Sequence, residues 1–183
     1  VLMNVARLRT RAFTRFPLRG FRVLVANRGE IALRVLQACS ELDMATVALE
    51  APGDEHALHC ASADQVATVA SYMSISSIIA SAVSLRCDAI HPGYGFLSER
   101  ADFARACESA GLRFIGPHPD TIDLLGDKAA ARRLATSVGV PVAAGSNDAC
   151  LSMDAVREAI STQGLNYPVM LEAVGGGGGR GQR

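Results

Sequence analysis

The sequence predicts an α/β protein on a parallel, Rossmann-like sheet, and three observations carry that expectation. Short apolar runs recur along the chain, suited to buried strands. Each is followed by a stretch whose apolar residues stand three and four apart, which is one face of a helix. Glycine, proline and small polar residues punctuate the two kinds of stretch, as turns and caps require.

The elements follow in order. Phe21–Ala26 is the first strand, and Asn27-Arg28-Gly29-Glu30 turns the chain into a helix. That helix is expected to bury Ile31, Val35, Ala38, Cys39 and Leu42, with Glu30 and Arg34 paired one turn apart. Ala45–Glu50 is the second strand, which makes a β-α-β unit with parallel strands and a right-handed crossover. Gln65–Ala70 is a weaker strand. Ser74 is expected to cap a helix carrying Ile75, Ile78, Ile79, Ala82 and Val83. Asp88–Ile90 leads into His91-Pro92-Gly93. Ser98 is expected to cap a helix carrying Phe103, Ala106, Cys107 and Ala110, closed by Gly111. Arg113–Ile115 is the next strand. Pro119 suits the first turn of a short helix to Leu125, and Asp127 caps the helix Lys128–Val138. Beyond a polar linker come a helix, Ser152–Thr162, and a strand, Tyr167–Val174. The expected domains are 21–138, Rossmann-like, and 139–183, the beginning of a second domain.

Composition narrows the function classes. The 183 residues are 49% hydrophobic and 20% charged, with zero formal net charge, so no charge excess points to nucleic acid. No apolar run approaches the roughly 20 residues of a membrane span. Five scattered cysteines without a CxxC pair read as reduced, mostly buried thiols, and neither a metal site nor a disulfide framework is expected. Residues 1–20 interleave Arg7, Arg9, Arg11, Arg15 and Arg19 with apolar residues and contain no acid, the composition of a mitochondrial transit peptide. A disordered basic tail on a cytoplasmic protein is the alternative. The chain opens on Val1 and closes just after five consecutive glycines, which predicts a fragment of a longer protein.

Three loops and one lysine carry candidate chemistry. Asn27–Glu30 has one glycine where a dinucleotide fingerprint has three, and Glu30 would repel a phosphate, so NAD is not expected. Gly175-Gly176-Gly177-Gly178-Gly179-Arg180-Gly181 can bring backbone N–H groups against phosphate oxygens, and Arg180 adds a planar donor. A flexible linker is the plain reading of the same glycines. His91 and Glu99 flank a loop at a strand end, where an acid/base pair and a purely structural turn are both open. Lys128 at a helix start opposes the dipole, which allows a ligand role, though a solvated lysine is the default.

Together, VLVANRGEIALRV, ADQV, DAIHPGYGFLSE, DFARACE, FIGP, LLGDKAAARRLA, GVPV and YPVMLEAVGGGGGRGQR resemble the biotin carboxylases, in that family's order and from Phe21 to Arg183. The family includes the bacterial biotin carboxylase subunit and the matching part of acetyl-CoA, propionyl-CoA, methylcrotonyl-CoA and pyruvate carboxylases. The HPGYGFLSE string separates it from carbamoyl phosphate synthetases, which share the fold logic. The resemblance implies an ATP-grasp ligase in which ATP activates bicarbonate and biotin on a carrier domain takes the carboxyl group. Mg²⁺ or Mn²⁺ would neutralise phosphate charge. It assigns ATP contacts to Lys128 and to Gly175, Gly176, Gly177, Gly178, Gly179, Arg180 and Gly181. It places no catalytic residue or metal ligand in this sequence, since those lie in the family's C-terminal part. Which acyl-CoA or keto acid the parent carboxylates is set elsewhere.

This sequence departs from the family pattern in several places. Glu172 stands where the family has an ATP-contacting lysine, and Gln182 replaces a usual methionine near the adenine. The segment between Val69 and Tyr72 is short, and Glu50–Glu55 replaces a typical loop. Two functions are therefore expected: an N-terminal fragment of a mitochondrial biotin carboxylase, or a truncated, non-catalytic chain that binds a full-length subunit or has no activity.

Overall fold

The computed structural model describes residues 20–146, 148–173 and 181–183. Of the expected leader, residues 1–20, all but Gly20 lie outside the described residues, as does all of the expected phosphate loop, 175–181, except Gly181.

Five strands form one parallel sheet: β1 (Arg22–Val25), β2 (Ala45–Glu50), β3 (Gln65–Thr68), β4 (Ala89–His91) and β5 (Arg113–Phe114). Their order is β3-β2-β1-β4-β5. This is the order of a doubly wound sheet, which reverses direction between β1 and β4. Val23, Leu24 and Val25 have no solvent exposure, so both faces of the central strand are covered. At the start of β1, the Arg22 N–H donates to the Asp88 carboxylate at 2.7 Å and the Arg22 carbonyl accepts from the Asp88 N–H at 2.9 Å. Edge strand β3 is largely exposed, which matches the weak strand signal.

Helix α1 (Gly29–Glu41) packs Ala32, Val35, Leu36 and Cys39 against Val23 and Val25. The expected face was right at Val35 and Cys39 and at Ile31, which is partly buried against the same cluster. Ala38 and Leu42 are exposed, and Ala32 and Leu36 take their places. Both sets have helical spacing, and only the sheet determines which one faces inward. The Glu30–Arg34 pair is not the contact made; the Tyr94 hydroxyl donates to Glu30 instead. A short helix, α2 (Leu58–Ala61), was not anticipated. The turn before it is fastened by Asp54, whose buried carboxylate accepts from the Arg28 guanidinium and, at 2.7 Å, from the Tyr72 hydroxyl.

Helix α3 (Ile75–Ser84) has Ser74 at its N-cap position, but the Ser74 side chain makes no capping bond. Helix α4 (Ala101–Ser109) begins three residues beyond Ser98, which therefore does not cap it. Its buried residues are Ala101, Phe103, Ala104 and Cys107, and the expected Ala110 is exposed.

Two later helix starts match expectation, at Pro119 and Asp127, and a third helix carries a Ser152 cap that was not anticipated. Helix α5 (Pro119–Gly126) opens with Pro119, α6 (Lys128–Ser137) is capped by Asp127 through the Ala130 N–H at 2.7 Å, and α7 (Met153–Thr162) by Ser152 through the Ala155 N–H at 3.1 Å. Among the described residues of the expected strand Tyr167–Val174, which stop at Ala173, no strand forms, and only Glu172 makes a bridge, antiparallel to Gln182.

The chain divides into two compact units. One holds the residues up to Ser98 together with Ala106–Gly116, and the other holds Glu99–Arg105 and Pro117–Arg183. All five cysteines are free thiols; Cys39, Cys60, Cys87 and Cys107 are buried and Cys150 is partly exposed.

Candidate functional site

An open parallel sheet usually binds its ligand where the strand order reverses, here between the carboxyl ends of β1 and β4. In this chain that crevice is filled from within. Asn27, buried at the end of β1, donates through Nδ2 to the Pro92 and Tyr94 carbonyls, both at 2.8 Å. Gly93 passes so close that a Cβ there would lie 2.6 Å from Asn27 Nδ2, and its φ of 65° is one that glycine adopts at little cost. The Gly93 N–H donates to His91 Nδ1 at 3.0 Å, so that nitrogen shapes the loop. Burial also lowers the His91 pKa and keeps the ring neutral. Of the two readings left open for this loop, the structural turn is the one these bonds support. Asn27, which the sequence reading treated only as part of a turn, is its organising side chain.

The second unit holds a more open site. A cleft of about 980 Å³ is lined by residues of α6, α7 and the segment 164–173, including Lys128, Glu172, Gly181 and Arg183. That is the size range of small-molecule sites. Lys128 is the first residue of α6, so Asp127 fixes the start of its helix. Its ammonium lies 3.4 Å from Glu172 Oε2 and donates to the Ala173 carbonyl at 3.3 Å. Glu172 Oε1 accepts from Gln182 Nε2 at 2.6 Å. The Gln182 amide first, and then Lys128, hold the Glu172 carboxyl below the usual carboxylate range, so it is ionised at neutral pH.

The backbone brings these groups together. Leu171 and Arg183 exchange N–H···O bonds of 2.7 and 2.9 Å, and the Ala173 N–H donates to the Gly181 carbonyl at 2.8 Å. Gly181 has φ 76°, and a Cβ on it would meet Ala173 Cβ at 2.8 Å. The flanks of the glycine run are thus zipped together, with Lys128 against them. The sequence reading singled out Lys128, Glu172, Gly181 and Gln182 separately and missed that they meet. The equal spacing of Glu172 and Gln182 from residues 174–180 was the available signal for that pair; none existed for Lys128. Gly175–Gly179 and Arg180 lie outside the described residues.

Residues 20–122 match the family model for the biotin carboxylase N-terminal domain. The chain belongs to the biotin carboxylase family. Residues 127–183 of this biotin carboxylase chain match the model for the ATP-binding domain of the carbamoyl-phosphate synthase L chain. The mitochondrial pyruvate carboxylase of Rattus norvegicus is 47% identical over 169 residues, covering 88% of this chain and 14% of the relative. The biotin carboxylase of Nostoc sp. is 44% identical over 169 residues, covering 88% and 37%. Among solved structures, the biotin carboxylase domain dimer of Hydrogenobacter thermophilus 2-oxoglutarate carboxylase, in complex with MgADP, ADP and bicarbonate, superposes with a TM-score of 0.84. It is 42% identical and covers 88% of this chain and 36% of that one. The chain therefore spans roughly a seventh to three eighths of the length of these relatives and corresponds to the N-terminal part of the biotin carboxylase domain.

Proposed function

We propose that this chain is the N-terminal part of an ATP-dependent biotin carboxylase and that the cleft beside Lys128 receives the nucleotide. The observation that carries this reading is the ammonium of Lys128, held at the closed base of the glycine run on a cleft of ligand size. The match of residues 127–183 to an ATP-binding domain and the MgADP in a close structural relative support it. In this reading residues 139–183 open an ATP-grasp subdomain.

Lys128 would donate to a phosphate oxygen, and Gly175–Gly179, Arg180 and Gly181 would offer backbone N–H groups and a planar guanidinium to the rest of the phosphate chain. The parent enzyme would spend ATP to activate bicarbonate and would transfer the carboxyl group to biotin on a carrier domain. Mg²⁺ or Mn²⁺ would accompany the nucleotide. Among the described residues no group of three or more His, Cys, Asp or Glu stands together to hold a metal. The arginine-rich residues 1–19 and the mitochondrial pyruvate carboxylase relatives support import into the mitochondrial matrix.

Hydrogen exchange with and without Mg-ADP tests the site. Protection is expected across Lys128–Ser137 and Leu165–Arg183 and not in β1–β5; unchanged exchange in the second unit would overturn the assignment. The 183-residue chain, matching 37% of a complete biotin carboxylase, is expected to show no bicarbonate- and biotin-dependent ATP hydrolysis above background. One observation favours a second reading, a non-catalytic chain that binds a full-length subunit: Lys128 already has an acidic partner in Glu172.

A further inference from the structure

We propose that Glu172 is an internal counter-anion that competes with polyphosphate for Lys128, so that the cleft selects for the nucleoside part of a ligand rather than its phosphates. The inference rests on the nucleotide reading above and concerns what that site prefers.

The carboxylate is held from two sides. One oxygen faces the Lys128 ammonium at 3.4 Å and the other accepts from Gln182 Nε2 at 2.6 Å. Gln182 sits directly opposite Glu172 across the antiparallel bridge, and the Leu171–Arg183 bonds close the ladder beside them. Gln182 therefore acts as a latch that orients Glu172 toward Lys128. The Ala173 carbonyl takes a further N–H of the same ammonium at 3.3 Å. Lys128 and Glu172 are 37% and 41% exposed at their side chains, so a ligand can reach the pair, but it reaches a neutralised one.

An incoming phosphate must displace the carboxylate from the ammonium and also approach a fixed negative charge. A neutral nucleoside meets neither cost. With a free ammonium, affinity would climb with each added phosphate charge. With the Glu172 pair in place that climb is flattened. The competition also makes the two residues interdependent: Lys128 can serve a phosphate only after Glu172 lets it go.

The experiment titrates adenosine and Mg-ATP into the 183-residue chain by calorimetry, for the unaltered protein and for Glu172→Gln, Lys128→Met, the double variant and Gln182→Met. Circular dichroism checks that each is folded. The unaltered chain should bind ATP within about threefold of adenosine, and Glu172→Gln should tighten ATP roughly tenfold while leaving adenosine unchanged. Lys128→Met should weaken ATP by less than about threefold beside Glu172 and by roughly tenfold beside Gln. Gln182→Met frees the latch without changing charge and should tighten ATP by a smaller factor, which keeps the test intact if Glu172→Gln fails to fold. ATP binding the unaltered chain about thirtyfold or more tighter than adenosine, with that ratio unmoved by Glu172→Gln or Gln182→Met, would overturn the inference and leave the nucleotide reading standing. Failure of every variant to bind either ligand would overturn the nucleotide reading and this inference with it.

Discussion

The sheet of the first unit and the helices α6 and α7 of the second use their apolar residues in opposite ways. The sheet unit buries β1 completely, and α1 lays four residues onto it. In the second unit neither α6 nor α7 buries a single residue, and Leu151 is 94% exposed. Helical periodicity is present in both units, so it does not distinguish a helix that stabilises a core from one that merely forms. Contact area does, at about 25 cal/mol per Å² of apolar surface removed from water. The sheet is therefore the scaffold, and α6 and α7 present surface, including the cleft.

Thiol chemistry offers the widest separation between them. Burial pushes the Cys107 thiol up to about 12 and Cys87 to about 11, while Cys150 is partly exposed. Alkylation at neutral pH is expected to label Cys150 on the order of a thousandfold faster than Cys87, since a buried thiol reacts only after opening. Equal rates, read by peptide mass mapping, would erase the contrast.

Truncation sharpens it next. Leu24→Ala should cost about 2–5 kcal/mol in urea unfolding, and Leu151→Ala no more than about 0.5 kcal/mol. Comparable losses would mean that Leu151 is covered in solution. Asn27→Ala comes third. It strips the Pro92 and Tyr94 carbonyls of their donor and should destabilise the sheet unit by about 1–3 kcal/mol.

The smallest effect is one of pH. The Arg28 guanidinium foremost holds Asp54 below the carboxylate range, and the Thr46 hydroxyl does the same for Asp64. Both folded values lie below the ordinary 3.8, so the stability these groups add is full above that value and drains as the pH falls through the folded values. Asp54→Asn should flatten the loss of Cys87 protection below about pH 4. An unchanged acid transition would show that Asp54 does not contribute.

Much of this scaffold was legible in the sequence because its signals are local. Apolar runs gave all five strands to within a residue or two. Pro119 and Asp127 marked helix starts through signals that need only their own turn. What failed depended on distant partners. The inward face of α1 is chosen by Val23 and Val25, and Glu30 prefers Tyr94, sixty-four residues away, to Arg34. The apolar Tyr167–Val174 read as a strand, yet apolar character does not supply a neighbouring strand to pair with. In the candidate site, the residue types at Lys128, Glu172 and Gln182 were readable. Their union was not, because it depends on an antiparallel return across a glycine run that has no periodicity of its own.

The Asn27 fastening has one more consequence, for linkage. Its amide already satisfies the carbonyls at the rim of the sheet, so the scaffold needs no guest to be dry and complete. A ligand stabilises a protein by about RT ln(1 + [L]/Kd), and that gain appears only in the parts whose opening destroys the binding site. Saturating nucleotide should therefore slow the alkylation of Cys150, beside the cleft, while Cys87 and Cys107 keep the protection they have without it. In this chain a thermal shift on ligand addition would report on the second unit.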